Sequence, residues 1–309
     1  MGQNCDDGTV IDGGEATRFV NAHSHTFQRA LRGSQEGGDF WEWRDAMLAL
    51  ADRQTPETVR STYAQAYEQM CAAGYRAVGE FHYLGLSEAR AAAEAAEQAE
   101  IQLVILFTAY ARGGLERFRQ GSVADYLRDV DELRNSGISV GLAPHSVRAC
   151  PRDWLHEIGR AATRDDLVLH IHADEQPREI EECLTEHGLR PIELLADTGC
   201  LGPRTTVVHA THADNHELDL LAEAGARICV CPTTEADLGD GFLPTLAIKE
   251  RGIPLCIGSD ANVSIDPSEE LRELDWIARR QALKRNVFTP VELNAIGTTE
   301  GAAALGLDR

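Results

Sequence analysis

The sequence predicts an α/β fold, a (β/α)8 TIM barrel, and three observations carry that expectation. Short apolar runs recur over 17–22, 76–81, 101–108, 138–143, 166–172, 205–210, 226–231 and 254–259, eight in all. Helical patterns separate them, as parallel strands require of their crossovers. Several runs deliver a His or Asp at their ends, and in such a barrel the chemistry gathers at the C-terminal ends of the strands.

The runs are mostly continuous rather than alternating, the pattern of strands buried on both faces. The first, Arg18-Phe19-Val20-Asn21-Ala22, leads into His23-Ser24-His25. The segment from Gly33 to Gln54 is the longest without a strand. It holds Gly37-Gly38, Phe40, Trp41, Trp43 and Arg44, and reads as a loop covering an active site. Thr55-Pro56-Glu57 opens a helix that runs to Gly74, with Pro at the first helical position and Gly past the end. Ser87 begins an alanine-rich helix over Glu88 to Glu100. Ser122-Val123-Ala124-Asp125 resembles a capping box, and its helix stops at Gly137. Other helices begin near Pro151, Pro177, Asp214, Pro267 and Pro290. No sequence-level repeat is visible. The expectation is one catalytic domain over 1–309, a length such barrels commonly reach.

Composition excludes several classes. A net charge of −21 argues against nucleic acid and anionic membranes as partners. Lys249 and Lys284 are the only lysines, a bias that suits a high-salt host but also follows from genome composition. No apolar stretch reaches membrane-spanning length, and Met1-Gly2-Gln3-Asn4-Cys5-Asp6-Asp7 lacks a basic segment and an apolar core. A soluble cytoplasmic protein is expected, and a homodimer is compatible with the sequence. Cys5, Cys71, Cys150, Cys183, Cys200, Cys229, Cys231 and Cys256 show no zinc-ribbon pairing and read as reduced thiols.

Residues two apart in a strand share a face, so His23 and His25 converge on one metal ion. His170 and His172 share a parity. His172 is nearer the catalytic end and is expected as the third ligand, with His170 one layer deeper in a structural role. Asp260, after Gly258-Ser259, would be costly in its apolar context without a cation. It completes the ligand set and can accept a proton from the water that zinc acidifies toward ~7. Glu175, three residues past His172, can protonate a leaving group or hold an amidine nitrogen. His209 ends the sixth run and can stabilise developing charge. His212 reads as a loop residue, and His156, His187 and His216 as surface.

Together these residues resemble the amidohydrolase superfamily, and within it the formimidoylglutamate deiminase family. The resemblance rests on Asn21-Ala22-His23-Ser24-His25-Thr26-Phe27-Gln28-Arg29-Ala30, Glu80-Phe81-His82-Tyr83 and Ala143-Pro144-His145-Ser146-Val147-Arg148. It continues through His172-Ala173-Asp174-Glu175-Gln176, His209-Ala210-Thr211-His212, the block Cys231 to Gly241, and Gly258-Ser259-Asp260. The resemblance implies one zinc on His23, His25, His172 and Asp260, with Glu175 and His209 at the formimino group. It also implies substrate contacts from Gln28, Arg44, Tyr83, His145 and Arg148. The reaction implied is hydrolytic deimination of N-formimino-L-glutamate to N-formyl-L-glutamate and ammonia, a step of histidine degradation. Arginine forks suit such a dicarboxylate. Family members carry a small β-sandwich built from both chain ends, and its strands are not expected here. The alternatives are a related deaminase acting on a nucleobase or triazine-like ring, which would want stacking aromatics, and a non-catalytic metal-binding barrel.

Overall fold

The computed structural model describes residues 18–33 and 38–307. Thr17 of the first expected strand, residues 34–37 of the covering segment, Cys5 and the N-terminal stretch around it lie outside the described residues.

Eight strands form one parallel sheet in sequence order: β1 (Phe19–Ser24), β2 (Tyr75–His82), β3 (Gln102–Ala109), β4 (Val140–Pro144), β5 (Leu169–Ala173), β6 (Thr205–His209), β7 (Arg227–Val230) and β8 (Leu255–Ile257). Each overlaps its expected run. The sheet closes just past the end of β8. The His25 amide donates to the Asp260 carbonyl at 2.8 Å, and the Asp260 amide donates to the His23 carbonyl at 3.0 Å. Closure removes both sheet edges. Among the described residues there is no second sheet.

The register of β1 on β2 slips twice, once between Phe19 and Val20 and again between Asn21 and Ser24. Asn21 pairs with Val78 and Ser24 with Glu80, so β1 carries one residue more than its partner across that interval. Such a bulge re-aims the side chains around it, and here those include His23.

Helices cover the outside. In Pro56–Ala73, Thr55 accepts from the Thr58 amide in a capping box, and Gly74 ends the helix at φ 105°. Val59, Tyr63, Ala66, Tyr67 and Met70 form its buried stripe. The next helix, Leu86–Ala99, buries a row of alanines and begins one residue before the expected Ser87. Ser122 caps Val123–Asn135 by accepting from the Asp125 amide.

The covering segment differs from its expectation as a loop: Phe40–Asp52 is a helix. The Asp39 carboxylate caps it by accepting from the Trp41 and Glu42 amides, and Phe40, Met47 and Ala51 turn one face inward. At its other end Arg117 donates to the carbonyls of Ala51, Asp52 and Gln54 at 3.1, 3.3 and 2.9 Å. Short helices Pro191–Asp197, Pro232–Leu238, Thr245–Glu250 and Thr299–Ala304 also go beyond the expected set.

The last of these plugs the end of the barrel away from the site. His170 Nε2 donates to the Ala304 carbonyl at 2.9 Å, which gives His170 the deeper, structural place expected of it. Ala304 belongs to a small buried cluster with Ala22, Val208, Cys229, Cys231 and Cys256. The seven described cysteines are free thiols, and all but Cys71 are buried. Among the described residues no helix is long and apolar enough to cross a membrane.

Candidate active site

Three imidazoles and one carboxylate meet above β1, β5 and β8. The Nε2 atoms of His23, His25 and His172 lie 3.2, 3.4 and 3.1 Å apart pairwise. Asp260 Oδ1 is 3.3 Å from Nε2 of both His23 and His25. The outer ring nitrogens fix the tautomers. His25 Nδ1 donates to the Phe81 carbonyl at 3.1 Å, and His172 Nδ1 donates to the His145 carbonyl at 3.0 Å. Burial lowers the pKa of all three rings, His23 to about 3. Neutral rings that donate from Nδ1 present bare lone pairs at Nε2. His23 can offer Asp260 one proton at most, and the lone pairs of His25 and His172 would still face each other. A cation resolves the conflict. A tetrahedron with zinc–ligand arms of about 2.0–2.1 Å has edges of about 3.3–3.4 Å, which the observed spacing matches. These four residues form a buried His-His-His-Asp metal site.

Close backbone approach builds it. A Cβ on Gly258 would meet the His23 carbonyl oxygen at 2.7 Å and the His23 Cβ at 2.8 Å, so only glycine lets the end of β8 lie this near β1. His209, Ala210, Asp260 and Asn262 all have positive φ. Left-handed backbone is uncommon for such residues and gathers at functional sites. Side chains hold it in place: Asn21 accepts from the Ser259 amide at 3.0 Å, and Asn262 Nδ2 donates to the Asp260 carbonyl at 2.9 Å.

Beside the metal ligands runs a line of alternating charge. His209 Nε2 is 3.6 Å from Glu175 Oε1 and 3.9 Å from Asp260 Oδ2. Its Nδ1 donates to Glu235 Oε1 at 3.2 Å. Burial works against a charged His209 ring, but Glu175, Glu235 and Asp260 outweigh it and raise its pKa to about 10. Glu175 is itself pushed up from the usual carboxylate range by burial, against the pull of His209 and Arg148.

The pocket above holds about 670 Å³ of unfilled space, part of it open to solvent. Every expected substrate residue lines it: Gln28, Arg44, Tyr83, His145 and Arg148. Gln28 Nε2 donates to the Tyr83 hydroxyl at 3.0 Å, while its Oε1 is buried without a partner. Arg148 stands 3.8 Å from Glu175 and 3.5 Å from Glu179, and its Nε makes no hydrogen bond. Arg44, on the covering helix, has no carboxylate partner among the described residues. Phe40, Trp43 and Tyr110 complete the walls.

Glu235 and Asp240 are also near the reacting groups, and neither is among the expected site residues. Both lie in the Cys231 to Gly241 block, so the signal was present. Their function depends on the short helix Pro232–Leu238, which turns the chain back toward β6. His212 lies in a turn as expected. His156 and His216 are exposed, and His187 is half-buried.

Comparison with known proteins agrees with this geometry. The amidohydrolase family model matches residues 19–309, and the chain belongs to that family of hydrolases. Among its relatives, the formimidoylglutamate deiminase of Pseudomonas aeruginosa is 37% identical, over 98% of this chain and 73% of that protein. The 5-methylthioadenosine/S-adenosylhomocysteine deaminase of Haloarcula marismortui is 29% identical, over 98% of this chain and 69% of that protein. The crystal structure of an amidohydrolase from Brucella melitensis superposes with a TM-score of 0.88 at 32% identity, covering 95% of this chain and 73% of the other.

Proposed function

We propose that the chain is a zinc-dependent deiminase that hydrolyses N-formimino-L-glutamate to N-formyl-L-glutamate and ammonia. The observation that carries this reading is the pair of pocket arginines. Among the described residues Arg44 has no carboxylate partner, and Arg148 is only loosely engaged. A substrate with two carboxylates satisfies both, and it needs such local cations because the protein's net charge of −21 repels a dianion. The 37% identity to a formimidoylglutamate deiminase supports the same choice.

The donor set of three neutral imidazoles and one carboxylate fits zinc. Bound there, zinc would supply Lewis acidity and bring a water within reach of deprotonation near neutral pH. Asp260 keeps Oδ1 toward the imidazoles and Oδ2 toward His209, so Oδ2 is placed to take the water's proton. Glu175 passes a proton to the departing nitrogen; its raised pKa suits transfer in both directions. His209, its Nδ1 held by Glu235, points Nε2–H at the carbon where charge develops. Gln28, Tyr83 and His145 fix the chain between the formimino group and the carboxylates.

A second reading has an observation of its own. Phe40, Trp43, Tyr83 and Tyr110 could flank a flat ring, and a nucleoside deaminase stands among the relatives. Ammonia release measured side by side on N-formimino-L-glutamate and 5′-methylthioadenosine decides. Turnover of the nucleoside alone would overturn the deiminase reading.

A further inference from the structure

We propose that Asp240 is a substrate-binding residue that anchors the terminal nitrogen of a cationic, amidinium-type group. The inference deepens the deiminase reading and rests on it for the substrate class.

Asp240 follows the helix Pro232–Leu238 and stands between Gly239 and Gly241, both with positive φ. Gly241, at φ +113°, holds a backbone conformation that L side chains rarely adopt. The Asp240 amide donates to the Glu235 carbonyl at 2.9 Å. This turn delivers a carboxylate that is 3% exposed. Oδ1 accepts from Gln176 Nε2, while Oδ2 is buried without a hydrogen-bond partner. An unpaired buried carboxylate oxygen is costly unless something donates to it.

The surroundings say what kind of donor is missing. Ligand atoms of Asp240, Glu175 and His209 lie within 4.8 Å of one another. Carboxylates therefore crowd this corner: Glu175 and Asp240 here, with Glu235 and Asp260 also on His209. His209 is the one ring cation among them, and Arg148 lies on the other flank of Glu175. A protonated formimino group brings a positive charge and two N–H bonds on its terminal nitrogen. Glu175 and Asp240 can accept one each.

The balance of the reaction then favours turnover. The protonated formimino group and water give the N-formyl product and ammonium. The bond from carbon to the terminal nitrogen breaks, its electron pair leaves with that nitrogen, and the carbon keeps the water's oxygen. A formyl oxygen brings neither a positive charge nor an N–H bond, so the product lacks the contact that held the substrate.

Calorimetric binding of acetamidinium and of its neutral counterpart acetamide to the zinc-loaded protein tests the idea without requiring turnover. The expected result is a preference for the cation that Asp240→Asn reduces at least tenfold, with acetamide affinity unchanged. Zinc content and thermal unfolding establish that the variant is intact. Should Asp240→Asn not fold, Asp240→Glu keeps the charge and should keep the cation preference. Equal binding of acetamidinium by wild type and Asp240→Asn overturns the proposal, as does loss of the preference in a folded Asp240→Glu protein. A wild type that does not discriminate the two probes also overturns it. Ammonia release from N-formimino-L-glutamate by the wild type is measured separately. Its absence would sink the deiminase reading and leave the cation preference to stand or fall on the binding data.

Discussion

Glu175 and His209 face each other across 3.6 Å, and each is braced from behind by a residue of opposite charge, Arg148 for the carboxylate and Glu235 for the imidazole. The two groups thus meet their counter-charges before any substrate arrives. Preorganised groups of this kind lose little on reorganisation during reaction.

Glu175→Gln should keep zinc and fold but lose turnover by roughly two to four orders of magnitude, the usual weight of a general acid–base group. Ammonia release and metal content measured on one preparation check this. A rate close to wild type would reduce Glu175 to a buried carboxyl without a chemical task.

Metal analysis should find about one zinc per chain. His172→Ala should abolish tight binding. His170→Ala should keep the metal, yet lose about 1–3 kcal/mol of stability by orphaning the buried Ala304 carbonyl. If both variants lost zinc alike, the assignment of His172 over His170 would fail.

The arginines should separate substrates by charge. Arg44→Met removes a side chain that strands no carboxylate among the described residues. It should reduce kcat/KM for N-formimino-L-glutamate by the equivalent of about 2–5 kcal/mol and spare a carboxylate-free formamidine. Arg148→Met should be less clean, because Glu175 and Glu179 lose their counter-charge. Lysine at 44 should restore only part of the loss, since a point charge does not reproduce the fork. Equal losses on charged and uncharged substrates would assign Arg44 to structure.

Glu80 should give the metal-free protein a particular pH dependence. Buried on β2 beside Ser24 of β1, it accepts from the Thr26 amide and hydroxyl, and burial raises its pKa from 4.5 to about 8. The folded state therefore holds this proton more tightly than the unfolded state. Its contribution is fully present below pH 4.5 and is lost as pH rises through about 8. Denaturant titrations from pH 4 to 9 should show that decline, and Glu80→Gln should flatten it. An unchanged profile in the variant would place the dependence elsewhere.

The sequence made the strands and the metal ligands readable for a physical reason. A strand buried on both faces must be apolar throughout, so a His or Asp at its end stands out, as His172 and Asp260 do. The covering helix Phe40–Asp52 was not readable. Its aromatic residues follow two glycines, and its start depends on the single Asp39 cap. Glu235 lies inside a seven-residue helix too short to display a period. Asp240 has meaning only once a turn between two glycines brings it to Glu175.

His145 touches the site in two independent ways. Its side chain lines the pocket, while its carbonyl accepts from His172 Nδ1. Any amino acid at position 145 supplies that carbonyl. Replacing the imidazole changes what the pocket recognises but leaves the acceptor that fixes the metal ligand's tautomer. Mutation at this position can explore new substrates while metal affinity stays shielded, which is one route by which a shared metal centre can diversify.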